Sequence, residues 1–280
     1  PLAGRTILLH AEQGFGDAMQ FMRYVPLVAA RAGRVILEIQ PELERLAGTL
    51  GGGADVVARG HELPPYDLHA PLLGLPRLFR TTLATVPAMV PYVHADPGSM
   101  AAWRDRIFAG QRLNIAIVWT GNPNHKNDRN RSIDPAEICG LIEAAEAQFF
   151  GLQPGARTDP VGNVVDLSRW LDDFAETAAA LECLDLLVTV DTSVAHLAGA
   201  LGVPVWVMLP FVPDWRWLVD REDSPWYPSM RLFRQPRPGD WRSVLQRVAE
   251  AIGQWNQVRS RPGLKYSEPV SHGAFVGGLP

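Results

Sequence analysis

The sequence predicts an α/β protein made of two doubly wound halves that face each other across a cleft. Apolar, β-rich runs alternate with helical patterns along nearly all of the 280 residues, as they do in parallel βαβ units covered on both faces. The chain exceeds the usual size of one domain, so two units are expected. Polar, Gly-containing segments fall directly after strands, where such folds bind their ligands.

Residues 6–10 read as a buried strand, followed by a Gly-containing turn and a helix over 18–31 that Gly33 stops. Residues 35–39 form the next strand. Pro41 then sits in the first turn of another helix, where its missing N–H costs little. Residues 54–58 and 67–70 are weaker strands. The pattern fades over 91–110, where a short helix carrying Trp103 leads to a second series. That series reads as strand 114–119, helix 135–147, strand 148–153 and helix 172–182, then strands 186–190 and 205–209 flanking a helix over 192–201. An N-terminal unit over 1–95, a C-terminal unit over 112–240 and a closing amphipathic helix over 241–257 follow from this order. The segment 258–280, rich in Gly, Pro and Ser, is expected to be a mobile tail.

Composition narrows the function classes. Apolar residues make up 47% and charged residues 20%, which suits a globular protein with a substantial core. A net charge of −4 without a dense basic run argues against a nucleic-acid partner. No apolar stretch approaches the length needed to span a bilayer, about 18 residues. Cys139 and Cys183 lie in apolar surroundings and are expected to be buried free thiols in a reducing, cytoplasmic setting. The start, Pro1-Leu2-Ala3-Gly4-Arg5, has neither a methionine nor a leader pattern, so a fragment of a longer chain is expected.

Four segments carry candidate chemistry. Gln13-Gly14-Phe15-Gly16-Asp17 follows the first strand; its glycines allow a tight turn that exposes N–H groups at a helix start. Asp17 can cap that helix or serve as a general base, and the residues alone leave both open. The loop from Gly121 to Ser132 holds Lys126, Arg129 and Arg131 beside His125 and several amides. Cations after a strand and before a helix suit a diphosphate, against the simpler reading of a solvated loop with Ser132 or Asp134 as a cap. Asp191-Thr192-Ser193 ends an apolar strand at a helix start, with His196 in the first turn or so and Gly202-Val203-Pro204 as the stop. N–H groups there can bind phosphate, while Asp191 and His196 can bond ligand hydroxyls; an ordinary cap and a packed histidine are the alternatives. Asp214-Trp215-Arg216-Trp217 and Ser224–Tyr227 bring aromatic and Arg side chains after a strand, suited to stacking or to packing on the core.

Together these segments resemble the glycosyltransferase family that includes the lipopolysaccharide heptosyltransferases (family 9). They resemble more closely the related domain at the C-terminus of bacterial tetratricopeptide-repeat proteins. His10–Asp17, Gln20–Pro26, Gly121–Ser132, Asp173–Ala178, Asp191–Pro204, and Asp214–Trp217 with Ser224–Tyr227 carry the likeness, over about residues 4–245. It implies a GT-B fold of two Rossmann-like domains, with acceptor on the first and nucleotide-sugar donor on the second. It also implies transfer without a metal or other cofactor, to a protein or glycan hydroxyl. By position, Asp17 matches the family's catalytic base, with Gln13, Gly14 and Gly16 on the acceptor-side loop. Arg131 stands where the family has a phosphate-binding lysine. Lys126, Gln153, Asp191, Thr192, Ser193 and His196 complete the donor side. A non-catalytic nucleotide-sugar or partner-binding domain is the main alternative. A Rossmann-type oxidoreductase fits less well, because Gly14-Phe15-Gly16 lacks the third glycine and Glu38 lies inside its strand.

Overall fold

A computed structural model describes residues 2–107, 112–153 and 161–259, with backbone only at 258 and 259. Among these, ten strands form two parallel sheets. β1 (Thr6–His10), β2 (Arg34–Ile39), β3 (Asp55–Ala58) and β4 (Leu68–Pro71) build the first, in the order β3-β2-β1-β4. β5 (Leu113–Val118), β6 (Ala147–Gly151), β7 (Val164–Asp166), β8 (Leu186–Val190), β9 (Val205–Leu209) and β10 (Met230–Arg234) build the second, in the order β10-β9-β8-β5-β6-β7. β5, β8 and β9 are buried along their whole length, as expected of central parallel strands covered by helices on both faces. The fold is α/β of the GT-B kind, as the sequence predicts.

In both sheets the chain runs outward from a central strand and then returns to that strand's other side. The order reverses between β1 and β4 in the first sheet and between β5 and β8 in the second. Ligands of open α/β sheets bind outside the carboxyl ends of strands at such points, which singles out the segments after His10, Val118 and Val190.

Some local expectations change. The helix written over 18–31 is two, Phe15–Phe21 and Val25–Ala29, joined by a 3-10 turn at Met22–Tyr24. Pro26 has no N–H to continue the ladder, so the break falls just before it. The helix written to 147 ends at Ala144, since the C-cap Ala145 is extended and Ala147 already belongs to β6. The closing helix runs over Trp241–Arg259, so residues 258 and 259 are helical and not tail; the tail from 260 lies outside the described residues. Both cysteines are free but only half-buried, not buried as expected.

The two halves share one core. Met19, Phe21 and Tyr24 cluster with Leu197, Ala198, Trp217 and Tyr227 from the other sheet. This contact runs through the helices Phe15–Phe21 and Ser193–Leu201, which pack close because their facing residues are small. A Cβ on Gly16 would come within 2.8 Å of His196 Cδ2, and one on Gly199 within 2.4 Å of the Tyr227 ring. Arg23, only 4% exposed, joins the halves from beneath. Its guanidinium donates to the carbonyls of Gln20 (2.8 Å), Pro87 (3.2 Å) and Trp226 (2.6 Å), and to Tyr92 Oη (3.1 Å). It also lies 4.6 Å from the Tyr227 ring centre. Carbonyls and π faces thus stand in for water around this buried cation.

Candidate functional site

A cleft of about 1550 Å³ opens where the carboxyl ends of the two sheets meet, and the motif segments line it. From the first half come Gln13, Gly14, Gly16 and Asp17; from the second, Arg131, Gln153, Asp191, Thr192, Ser193 and His196. The structure thus brings together every predicted site residue but one. Lys126 is exposed and does not line the cleft, so the donor-binding place expected for it is not where its side chain stands.

On the N-terminal side, Gly14 is the N-cap of helix Phe15–Phe21 and its N–H donates to Asp17 Oδ2 at 3.1 Å. Asp17 is therefore a cap. Its other oxygen accepts from Arg216 Nη2, across the cleft. Each carboxylate oxygen has a second lone pair, so both contacts leave acceptor capacity for a substrate proton. The cap and base readings coexist.

On the C-terminal side, the polar loop after β5 contains one helical turn, Asp128–Arg131. Arg131 is steered at two points: Nε donates to Asp128 Oδ1 at 3.2 Å, and Nη1 to the Asp191 carbonyl at 2.8 Å. The second contact sets the guanidinium at the head of helix Ser193–Leu201. Thr192 is that helix's N-cap, yet no side chain caps the first N–H groups; Thr192 Oγ1 lies instead 3.1 Å from Thr189 Oγ1. An open helix start beside a fixed guanidinium has the charge and the geometry to take an anion. Helix Pro135–Ala144, which follows the polar loop, is capped by Asp134, whose Oδ1 accepts from Ala136 N at 2.8 Å.

Two of the residues expected to bind the donor make hydrogen bonds within the protein. Gln153 bridges to Thr120, accepting from its N–H at 3.2 Å and donating to its carbonyl at 3.0 Å. That pairing ties the end of β5 to the end of β6 and takes up the amide expected for a ligand. His196 is 5% exposed, stacks on Trp217 at 5.3 Å and places Nδ1 2.9 Å from Tyr227 Oη. It packs the two halves together beneath Gly16. Burial pushes the Asp191 carboxyl above its ordinary value, and Asp214 adds to this, against the pull of the Trp217 indole and the Arg131 and Arg216 guanidiniums.

Burial also holds the His196 imidazole well below its usual 6.5, with Arg216 and Arg23 adding repulsion. The ring is neutral when folded, while the unfolded chain takes up a proton there once pH falls below about 6.5. His196 therefore contributes stability that is complete above that pH and is lost as pH falls towards the folded value. The wild-type melting temperature should decline between pH 7 and pH 5, and the decline should be smaller in His196→Gln. Equal declines would remove His196 as a source.

Sequence reasoning did not place Arg216 in the site, although it named the segment. Arg216 joins Asp214 (2.8 Å) to Asp17 and Gln20, so it belongs to both walls.

No family model matches the sequence. Protein FlbA of Caulobacter vibrioides is 25% identical over 284 residues, which covers 90% of this chain and 47% of that protein. The chain thus spans about half the length of the curated relative it matches. Among solved structures, the ADP-heptose lipopolysaccharide heptosyltransferase II of E. coli superposes with a TM-score of 0.58 at 11% identity, over 91% of this chain and all 100% of that one. A family 9 glycosyltransferase from Veillonella parvula gives 0.62 at 9% identity, over 91% and 98% of the two chains. The E. coli heptosyltransferase WaaC with ADP gives 0.53 at 12%, over 91% and 100%. These likenesses establish the fold. No described helix is long and apolar enough to cross a membrane.

Proposed function

We propose that this chain is a glycosyltransferase unit that moves a sugar from a nucleotide-sugar donor to a hydroxyl on a protein or glycan, with no metal taking part. The observation that carries the reading is the uncapped start of helix Ser193–Leu201 with Arg131 at its head, on the wall of the interdomain cleft. In this reading the unit over 1–95 takes the acceptor, and the unit over 112–240 takes the donor. Tetratricopeptide repeats elsewhere in a longer chain would present a protein acceptor. The structural neighbours named above are heptosyltransferases or a family 9 glycosyltransferase, which supports the same class.

Asp17 accepts the proton of the acceptor hydroxyl as that oxygen attacks the anomeric carbon. The bond from that carbon to the diphosphate breaks, and its electron pair leaves with the nucleoside diphosphate. Arg131 and the N–H groups at the start of the Ser193 helix stabilise the leaving charge. Asp191, Thr192 and Ser193 orient the donor. His196 acts behind them, by fixing that helix against Gly16.

A panel of ADP-, GDP- and UDP-sugars, with NAD as the oxidoreductase arm, tests this by thermal shift and by release of free nucleotide. A ligand that binds only the native state raises its melting temperature. One nucleotide-sugar should do so, and Arg131→Gln should weaken its binding about thirtyfold, the worth of roughly 2 kcal/mol for a charge-assisted contact. A shift from NAD alone would exclude the reading. A second reading, a binding unit without turnover, draws on the engagement of Asp17 by both Gly14 and Arg216; it predicts the shift with no nucleotide released.

A further inference from the structure

We infer that Arg216 is the positioning residue for Asp17, reaching from the donor-side half to hold the acceptor-side carboxylate in place. The inference rests on the transferase reading above and adds to it a residue that works through the base.

Every nitrogen of the Arg216 side chain is directed. Nη2 donates to Asp17 Oδ1, Nε to Gln20 Oε1 at 2.6 Å, and Nη1 to Asp214 Oδ1 at 2.8 Å. Asp17 and Gln20 lie three residues apart on one helix and so share a face. The planar fork of an arginine meets both at once in a fixed geometry, which a compact, rotatable ammonium does not supply. Arg216 is 13% exposed and Asp17 21%, so the pair is partly shielded from solvent but still borders the cleft.

The turn that presents Arg216 is itself fixed. Asp214 caps it, accepting from Arg216 N at 3.0 Å. Leu218, which follows, has φ 55° and ψ −162°, a region that side chains other than glycine's rarely occupy unless the surroundings enforce it. Arg234 enforces it here, donating to the carbonyls of Trp217 (2.5 Å), Leu218 (3.0 Å) and Arg221 (2.9 Å). The turn costs conformational energy, is pinned from behind and aims Arg216 across the cleft. Three of the five N–H groups of Arg216 are spent on protein acceptors, which fixes the plane of its guanidinium. What it controls is where the Asp17 oxygens sit relative to the Ser193 helix. A displacement of about 1 Å at such a place can cost a hundredfold in rate.

The test uses Arg216→Gln, Arg216→Lys, Asp17→Asn and the Arg216→Gln/Asp17→Asn double variant. Melting curves come first, because they need no substrate. The single losses should sum to more than the double variant's loss, since each removes the same contact. Strict additivity overturns the inference. Nucleotide release from the donor that shifts the wild type comes second. Arg216→Gln should lower kcat about a hundredfold while KM for the donor stays within about threefold, Arg216→Lys should recover part of the loss, and Arg216→Gln should cost nothing more in the Asp17→Asn background. A raised KM with unchanged kcat would instead put Arg216 on the donor, and overturns the inference. If the wild type consumes no donor while the melting curves stay coupled, the transferase reading fails; the contact then remains as a clasp between halves and the positioning role falls with that reading.

Discussion

Asp17→Asn is expected to lower turnover by about a hundredfold to ten-thousandfold, the usual contribution of a positioned general base, while nucleotide affinity stays within about threefold. The asymmetry follows from geometry. Asp17 sits on the first half, at the start of helix Phe15–Phe21, whereas the proposed anion site lies at Arg131 and the Ser193 helix on the second. Asparagine retains a carbonyl oxygen for the capping contact from Gly14, so the helix start should survive. It cannot take the acceptor's proton. Release of free nucleotide, measured beside a binding titration, separates the two effects. Wild-type turnover in this variant would remove Asp17 from the chemistry and leave it as a cap alone.

Gly199→Ala is expected to carry the largest loss of stability among single-methyl changes. Alanine is the better helix former by about 1 kcal/mol, so at an open helical position the change would stabilise. Here the new Cβ would lie 2.4 Å from the Tyr227 ring. Tyr227 cannot retreat: it is fully buried, its hydroxyl is 2.9 Å from His196 Nδ1, and its ring lies under Arg23. Overpacking of this kind costs about 3 kcal/mol, and the net loss should appear as a melting temperature several degrees lower. The same shift would disturb the His196 contact with Gly16, so nucleotide binding should weaken together with stability. A melting temperature at or above that of the wild type would contradict this packing.

The fold was legible where strands are apolar nearly throughout. β5, β8 and β9 declare themselves because both their faces are covered, so only Asn114 and Thr189 interrupt their apolar runs. β7 and β10 escaped notice for the opposite reason. Val164–Asp166 is a three-residue edge strand, and Met230–Arg234, at the other edge, mixes two arginines with apolar residues without a regular period. Helix caps are local, so Gly14 and Asp17 could be read together at a spacing of three. Arg216 could not be read this way. Its partners Asp17 and Gln20 lie 199 and 196 positions earlier, and no spacing rule links them. Gln153 and His196 were legible as polar residues near a cleft, but their engagement by Thr120 and Tyr227 depends on how strands and helices pack.

In the proposed mechanism a diphosphate sits at the start of helix Ser193–Leu201. The most direct test is a crystal structure with whichever nucleoside diphosphate gives the largest thermal shift. The predicted result is phosphate oxygens within hydrogen-bonding distance of the first backbone N–H groups of that helix and of the Arg131 guanidinium, with the cleft face of Asp17 open towards them. Phosphates bound elsewhere, or none at saturating nucleotide, would contradict it.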